Sequence, residues 1–94
     1  MNKRSLIERY VSILEALSQS GDMRAYHIAC YARLKWVELA NHLDRLYALG
    51  LIERRTLNGV TLYRITTEGR RILERYNSLV RVFVQPDQES RVTI

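Results

Sequence analysis

Apolar residues recur along residues 5–19 at spacings of three and four, which is the pattern of one face of an α-helix. Ser5 followed three residues later by Glu8 forms a capping box and predicts where this helix begins. Gly21 stands at the C-cap position, and Asp22 is predicted to begin the next element. The apolar stripe consists of Leu6, Ile7, Tyr10, Ile13, Leu14 and Leu17.

Two further helices are predicted before residue 50. Residues 23–31, "MRAYHIACY", form a short helix with small or apolar residues that allow close packing. Residues 35–49 form a longer one, which Gly50 ends. The segment "ARL" connects the two. The apolar ridge of the longer helix and its flank consist of Leu39, Leu43, Leu46, Trp36 and Tyr47.

A β-hairpin is predicted next, because "LIERRT" and "TLYRIT" are rich in strand-forming residues and are joined by "LNGV". Asn58-Gly59 is the pair that a type I′ turn requires, since both central residues of that turn have positive φ. A two-residue turn fixes the register, which pairs Ile52 with Ile65 across the strands.

The register separates the three arginines of the hairpin. Arg54 falls on the same face as Tyr63, and we expect its guanidinium to stack on that ring. Arg64 lies opposite Glu53, which partly neutralises it. Arg55 has no acidic partner across the strands, and it is therefore the strongest candidate on the hairpin for a phosphate contact.

A last helix is predicted to begin at Thr66 or Thr67, either of which can cap it, and to run to about Phe83. Residues 1–85 are thus expected to form one domain, and residues 86–94 a frayed tail. The apolar stripe of the last helix consists of Ile72, Leu73, Tyr76, Leu79, Val80 and Phe83.

The charge of the chain is concentrated in its second half. The net charge is +5 over 94 residues, and residues 54–81 alone carry seven arginines against two glutamates. Only Lys3 and Lys35 among the fifteen basic residues are lysines. Arginine suits bidentate phosphate contacts, so a polyanionic partner is indicated. Base composition of the genome or growth at high temperature would also explain the arginine usage.

Several classes of function lack support. No apolar run approaches the roughly 20 residues of a membrane span, and the chain starts without the apolar region of a signal peptide. A cytoplasmic protein is therefore predicted. No catalytic motif is present, so no enzymatic activity and no cofactor are expected. His27, Cys30 and His42 invite a metal hypothesis, but the spacing lacks a zinc motif, and Cys30 is more simply a small core residue.

The element order helix, helix, helix, strand, strand, helix and two segments carry a resemblance to a known family. The segments are "YHIACYARLKWVELANHLDRLYALGLIERR" and "LYRITTEGRRILERY", with the endings "L..L...GLI" and "Y.IT..G". Over roughly residues 6–83 the chain resembles small archaeal winged helix-turn-helix regulators and chromatin-associated proteins that end in a long dimerising helix. The fold implied is mainly α with a small β-hairpin, the wing. Lys35 departs from the small polar residue that often caps the third helix in such proteins.

The resemblance implies binding to double-stranded DNA, with residues 35–49 in the major groove and the wing, residues 52–65, on the phosphate backbone. By helical phase the outward side of the third helix offers groups that read base edges. Trp36 has two interpretations, stacking on a sugar or base and shielding the core edge between helix and wing, of which its position favours the second. The predicted DNA contacts are Lys35, Val37, Glu38, Asn41, Arg45, Arg54, Arg55 and Arg64.

The matching stripes of the first and last helices indicate a homodimer, because part of the last stripe extends beyond the reach of a small core. The function predicted is that of a sequence-specific homodimeric transcriptional regulator, with no effector ligand identified. The alternatives are a nucleoid-type architectural DNA-binding protein and a winged helix that presents its arginines to an acidic protein. The predicted dimer contacts are Ile7, Tyr10, Leu14, Tyr76, Leu79, Val80 and Phe83.

Overall fold

Residues 5–84 fold into four helices and one antiparallel hairpin in the predicted order. The structure, a computed structural model, describes residues 5–84, and at Val84 the backbone alone. The predicted tail at 86–94 lies outside the described residues. The elements are α1 (Leu6–Ser20), α2 (Ala25–Ala32), α3 (Trp36–Ala48), β1 (Ile52–Leu57), β2 (Val60–Ile65) and α4 (Thr67–Val84). This arrangement confirms the predicted winged helix.

The capping box at the start of α1 is formed as predicted. The Ser5 hydroxyl accepts the Glu8 N–H at 3.1 Å, and Glu8 Oε1 accepts the Ser5 N–H at 2.8 Å. The two bonds satisfy backbone donors that a helix start otherwise leaves unpaired. At the other end Gly21 adopts a φ of +76°, which few residues with a side chain tolerate, and its N–H bonds the Leu17 carbonyl.

The start of α2 differs from the prediction. Met23 is not helical: its N–H donates to the Tyr63 carbonyl at 3.0 Å, and its carbonyl accepts the Tyr63 N–H at 2.8 Å. The residue therefore forms an isolated bridge to the wing, and α2 begins only at Ala25, with Arg24 at its N-cap. Asp22 accordingly does not cap a helix. Long-range pairing with β2 overrides the local helical pattern here.

The wing has the predicted register throughout. β1 and β2 pair from Ile52 with Ile65 to Leu57 with Val60. Asn58 has a φ of +51° and Gly59 a φ of +80°, as the type I′ turn requires.

The junction between the wing and α4 is held by Thr66. Its hydroxyl donates to the Gly50 carbonyl at 2.7 Å and accepts the Gly69 N–H at 3.0 Å, so the predicted threonine cap is present. Gly69 packs directly on the preceding loop: a Cβ at this position would overlap the Leu51 carbonyl and lie 2.7 Å from Ile65 Cγ1. The glycine thus permits the close approach of α4 to the base of the wing.

One hydrophobic core joins the three N-terminal helices to the base of the wing and to α4. Replacing a fully buried leucine of this core, such as Leu17, by alanine would cost about 2–5 kcal/mol in the free energy of unfolding. None of the described helices has the length and apolar character needed to cross a bilayer. The largest fully buried side chains are Ile13, Leu14, Leu17, Ile28, Leu39, Leu46 and Ile52.

Candidate nucleic-acid interface

Helix α3 presents one polar face to solvent. Its apolar ridge is buried, as the periodicity predicts, and Val37, Asn41 and Arg45 on the opposite side are exposed. Glu38 is half-buried at the edge of this face. The exposed face therefore carries an amide, a guanidinium and an apolar group, the types that contact adenine edges, guanine edges and thymine methyl groups.

The start of α3 is open and cationic. Lys35 occupies the N-cap without a side-chain bond to the helix, and its side chain is exposed. Trp36 follows with 59% of its surface exposed, and Val37 with 73%. This exposure argues against the interpretation of Trp36 as a shield for the core edge.

Arg54 connects the wing to the second half of α3. Its guanidinium carbon lies 4.1 Å from the centre of the Tyr47 ring, and its Nη1 lies 3.3 Å from Asp44 Oδ1. The prediction that Arg54 stacks on Tyr63 is wrong. The cation–π contact exists, but with an aromatic residue of α3 that sequence alone does not place near the wing.

Arg55 and Arg64 share one carboxylate, that of Asp22 in the turn between α1 and α2. Arg64 Nε donates to Asp22 Oδ1 at 3.0 Å and its Nη2 to Asp22 Oδ2 at 3.3 Å, while Arg55 Nη2 lies 3.4 Å from Asp22 Oδ2. Arg55 lies opposite Leu62 and has no acidic partner across the strands, as predicted, but Asp22 supplies one from outside the hairpin. The prediction for Arg64 is corrected, because Arg64 is neutralised chiefly by Asp22, with Glu53 contributing weakly.

The ionisation of this cluster follows from its hydrogen bonds. The bond from Arg64 lowers the pKa of Asp22 below its usual value, assisted by the positive charge of Arg55. The same bond raises the pKa of Arg64. Asp22 is therefore a carboxylate at neutral pH, and the cluster retains one net positive charge.

Sequence reasoning missed two residues of this surface. The local pattern predicts that Asp22 begins a helix, and no local signal links it to Arg55 and Arg64, which are 33 and 42 positions further along the chain. Arg24 falls in the first turn of the predicted helix 23–31, whereas it is the N-cap of α2, exposed and without a side-chain cap bond. Within residues 5–84, Arg24, Lys35 and Arg45 have no carboxylate at ion-pair distance.

The predicted dimer residues fall into three groups. Leu14 is only 1% exposed within its own chain, so it belongs to the core and leaves the predicted interface. Tyr10 and Tyr76 are half-buried against that core. The remaining four are exposed on α1 and α4, together with apolar neighbours that were not predicted. The exposed apolar residues of the two helices are Leu6, Ile7, Ile72, Leu79, Val80, Val82 and Phe83.

The histidine and cysteine side chains of the metal hypothesis differ in burial. His42 belongs to α3 and its side chain is buried, and its Nε2 atom has no hydrogen-bond partner in the described part of the chain. Cys30 is exposed on α2, so its assignment to the core is wrong. Among residues 5–84 no three His, Cys, Asp or Glu side chains converge on a metal-sized site.

Solved structures with the same fold include DNA-binding proteins and regulators. Sso10a-2, a DNA-binding protein from Sulfolobus solfataricus, is 19% identical over 97% of each chain, with a TM-score of 0.71. The transcriptional regulator BldR from the same organism is 22% identical over 90% of this chain and 68% of its own, with a TM-score of 0.67. The MarR-family regulator SPO1453 from Silicibacter pomeroyi is 21% identical over 90% of this chain, which spans 58% of that regulator, with a TM-score of 0.67.

Because the sequence identities are low, these structural likenesses establish the fold alone. No curated protein sequence matches the chain. A family profile described as winged helix-turn-helix matches residues 3–83, which is nearly the whole chain and includes every described element up to the last turn of α4. The chain therefore belongs to the winged helix-turn-helix family.

Proposed function

We propose that this protein binds double-stranded DNA sequence-specifically as a homodimeric transcriptional regulator. The observation that carries the proposal is the exposed face of α3, where Val37, Asn41 and Arg45 stand free of the core. Asn41 has the donor and acceptor pair that matches adenine in the major groove, and Arg45 matches guanine. Helix α3 is the element that enters the major groove in proteins of this fold class.

Cationic residues at the starts of α2 and α3 support binding of DNA through its phosphates. Arg24 and Lys35 are the N-cap residues of α2 and α3, and neither uses its side chain to cap its helix. Free backbone N–H groups and the positive end of the helix dipole favour anions at such positions. We assign these two side chains to phosphates on either side of the groove that α3 enters.

The wing contributes in a different way from the one its charge first indicates. All three of its arginines bond to carboxylates of the helical unit, so they are not free phosphate ligands in the unbound protein. We assign Arg54 to holding the wing against α3. Arg55 and Arg64 remain about half exposed and are available to a phosphate that competes with Asp22.

Dimerisation through α1 and α4 would cover the apolar surface at the ends of these helices. Phe83 is 79% exposed, and Leu79 and Val82 on the same helix are exposed as well. Monomeric proteins rarely leave such a run in contact with water. A two-fold pairing would bury it and would set two α3 helices against successive turns of the duplex.

The relatives agree with this function, and one of them favours a second candidate. BldR and SPO1453 are described as transcriptional regulators, and Sso10a-2 as a DNA-binding protein. The chain covers 97% of Sso10a-2 but only 58% to 68% of the two regulators. A nucleoid-type architectural role, with weak sequence preference, is therefore the alternative within the same class of partner.

Selection of bound sites from a pool of random duplexes tests the proposal. A specific regulator enriches one motif, and a homodimer enriches an inverted repeat with half-sites about 10 base pairs apart. An architectural protein retains duplex without enriching a motif, because phosphate contacts carry no sequence information. Failure to retain any duplex at low salt would contradict both and favour an acidic protein partner for the arginines.

A further inference from the structure

The carboxylate of Asp22 binds Arg55 and Arg64, the two wing arginines that could otherwise bind an anion. Asp22 accepts two bonds from Arg64 and lies 3.4 Å from Arg55, so its two oxygens face both guanidinium groups. A DNA phosphate would accept hydrogen bonds from the same donors with the same geometry, because carboxylate and phosphate both bind guanidinium through paired oxygens. Asp22 thus stands where a phosphate would bind.

The position of Asp22 is set by the backbone. The next residue, Met23, exchanges two hydrogen bonds with Tyr63, the neighbour of Arg64 on β2. This bridge holds the turn between α1 and α2 against the wing, and Asp22 is brought beside Arg64 as a consequence. The contact is therefore a built feature of the fold, whereas many ion pairs at protein surfaces join two freely moving side chains.

The site stays open to solvent. The Arg55 and Arg64 side chains keep 58% and 49% of their surface exposed, whereas that of Asp22 keeps 30%. A small pocket of about 40 Å³ lies among them, with Glu53 on its wall. An incoming anion can reach both guanidinium groups without any movement of the core.

We propose that Arg55 and Arg64 form a phosphate-binding site on the wing that Asp22 closes in the free protein, so that Asp22 lowers the affinity for DNA of any sequence. This inference rests on the proposed function. Binding of a backbone phosphate at the wing exchanges one anion for another, and the carboxylate must return to water. Asp44 is a weaker candidate for the same role, since its partner Arg54 is also held by the ring of Tyr47.

The test is a duplex-binding titration of Asp22→Asn, in which the side chain keeps its size and loses its charge. Random-sequence duplex is used, so that base contacts do not contribute. The expected affinity at low salt is roughly three- to tenfold higher than that of the wild type, because no carboxylate has to leave the two arginines before a phosphate binds. Thermal unfolding followed by circular dichroism checks that the variant is folded.

Glu53→Gln is the matched control. Glu53 lies on the same face of the hairpin and pairs with Arg64 in the register, but within residues 5–84 it has no hydrogen bond to either arginine. The Glu53→Gln substitution removes one negative charge without opening the phosphate-binding site, so its effect on affinity measures the contribution of net charge alone. An equal gain in Glu53→Gln and Asp22→Asn would overturn the inference.

A double-mutant cycle keeps the result interpretable if Asp22→Asn also loosens the wing. In a protein with Arg55→Ala and Arg64→Ala, the added Asp22→Asn should raise the affinity no more than Glu53→Gln does. An unchanged or lower affinity of Asp22→Asn in the otherwise native chain, where the wild type binds, contradicts the inference alone and indicates that Asp22 orients the arginines. Absence of duplex binding by the wild type contradicts the proposed function, and the inference with it.

Discussion

Tyr10 of α1 and His42 of α3 pack edge to face, with ring centroids 5.1 Å apart and an angle of 85° between the planes. His42 is 8% exposed. Burial lowers its pKa below the usual 6.5, and the charge of Arg9 lowers it further, while Glu38 acts in the opposite direction. The contact joins the helix predicted to dimerise to the helix predicted to read DNA, through a ring that is neutral at neutral pH.

Acid is therefore expected to destabilise the fold through His42. Because the folded-state pKa is depressed, the unfolded chain takes up a proton first as the pH falls below about 6.5. Each further pH unit costs up to about 1.4 kcal/mol until His42 is protonated in the folded state as well, whereas above pH 6.5 the stability is retained. Urea unfolding at several pH values measures this loss.

His42→Leu should remove that part of the pH dependence, because leucine fills a similar space without a titratable group. At neutral pH its stability should equal or exceed that of the wild type by about 1 kcal/mol, since a buried unpaired nitrogen is removed. His27→Gln is the control, because His27 is exposed on α2. If His42→Leu retains the same loss between pH 6.5 and lower values, another group is responsible.

Gly69→Ala should destabilise the junction between the wing and α4 by about 2 kcal/mol or more, because the added methyl group overlaps the Leu51 carbonyl and approaches Ile65. Glu68→Ala, an exposed change one residue earlier, should cost less than about 0.5 kcal/mol apart from its pair with Arg71. Chemical unfolding of the two variants compares them directly. Equal stabilities would show that the loop yields to the methyl group at little cost.

Leu79→Asn together with Phe83→Asn should convert the predicted dimer to a monomer, because the two changes place amides in the proposed apolar interface. Sedimentation velocity across a concentration series measures the mass. Tyr26→Asn, at an exposed aromatic position on α2, should leave the mass unchanged. A wild-type protein that remains monomeric at high concentration would contradict the proposed dimer.

Asn41→Ala should change which duplexes are selected, with a loss of about 1–3 kcal/mol confined to the base pair that Asn41 reads. Lys35→Ala should instead weaken binding to all sequences and reduce the salt slope by about 1, as expected of a phosphate contact. Site selection and salt titration on both variants separate the two roles. An unaltered motif with Asn41→Ala would place Asn41 outside the groove.

The local architecture was predictable because its signals lie within a few residues of one another. Ser5 with Glu8, and Asn58 with Gly59, each specify a helix start or a turn by themselves. The period of the apolar residues likewise separated the buried ridge of α3 from its exposed face. The glycine of the "Y.IT..G" segment also has a physical explanation, since a side chain at position 69 would prevent the close approach of α4 to Leu51.

The partners of the wing arginines were not predictable, because they depend on how distant elements meet. Cross-strand register offered Arg54 only Tyr63 and offered Arg64 only Glu53. The observed partners, Tyr47 and Asp22, come from α3 and from the turn after α1, which the Met23 bridge brings to the wing. The predictions of Leu14 as a dimer contact and of Trp36 as a shield of the core edge have the same weakness. The apolar stripe identifies apolar positions, but the tertiary packing decides which of them are buried.

The central claim, binding of duplex DNA through phosphates, is tested most directly by the affinity of the wild-type chain for a random-sequence duplex between about 50 and 200 mM salt. Binding through phosphates predicts measurable affinity at the low end and a linear fall of log K with log salt, with a slope of about −0.9 for each phosphate contacted. No binding at the low end, or an affinity that does not change with salt, would contradict it.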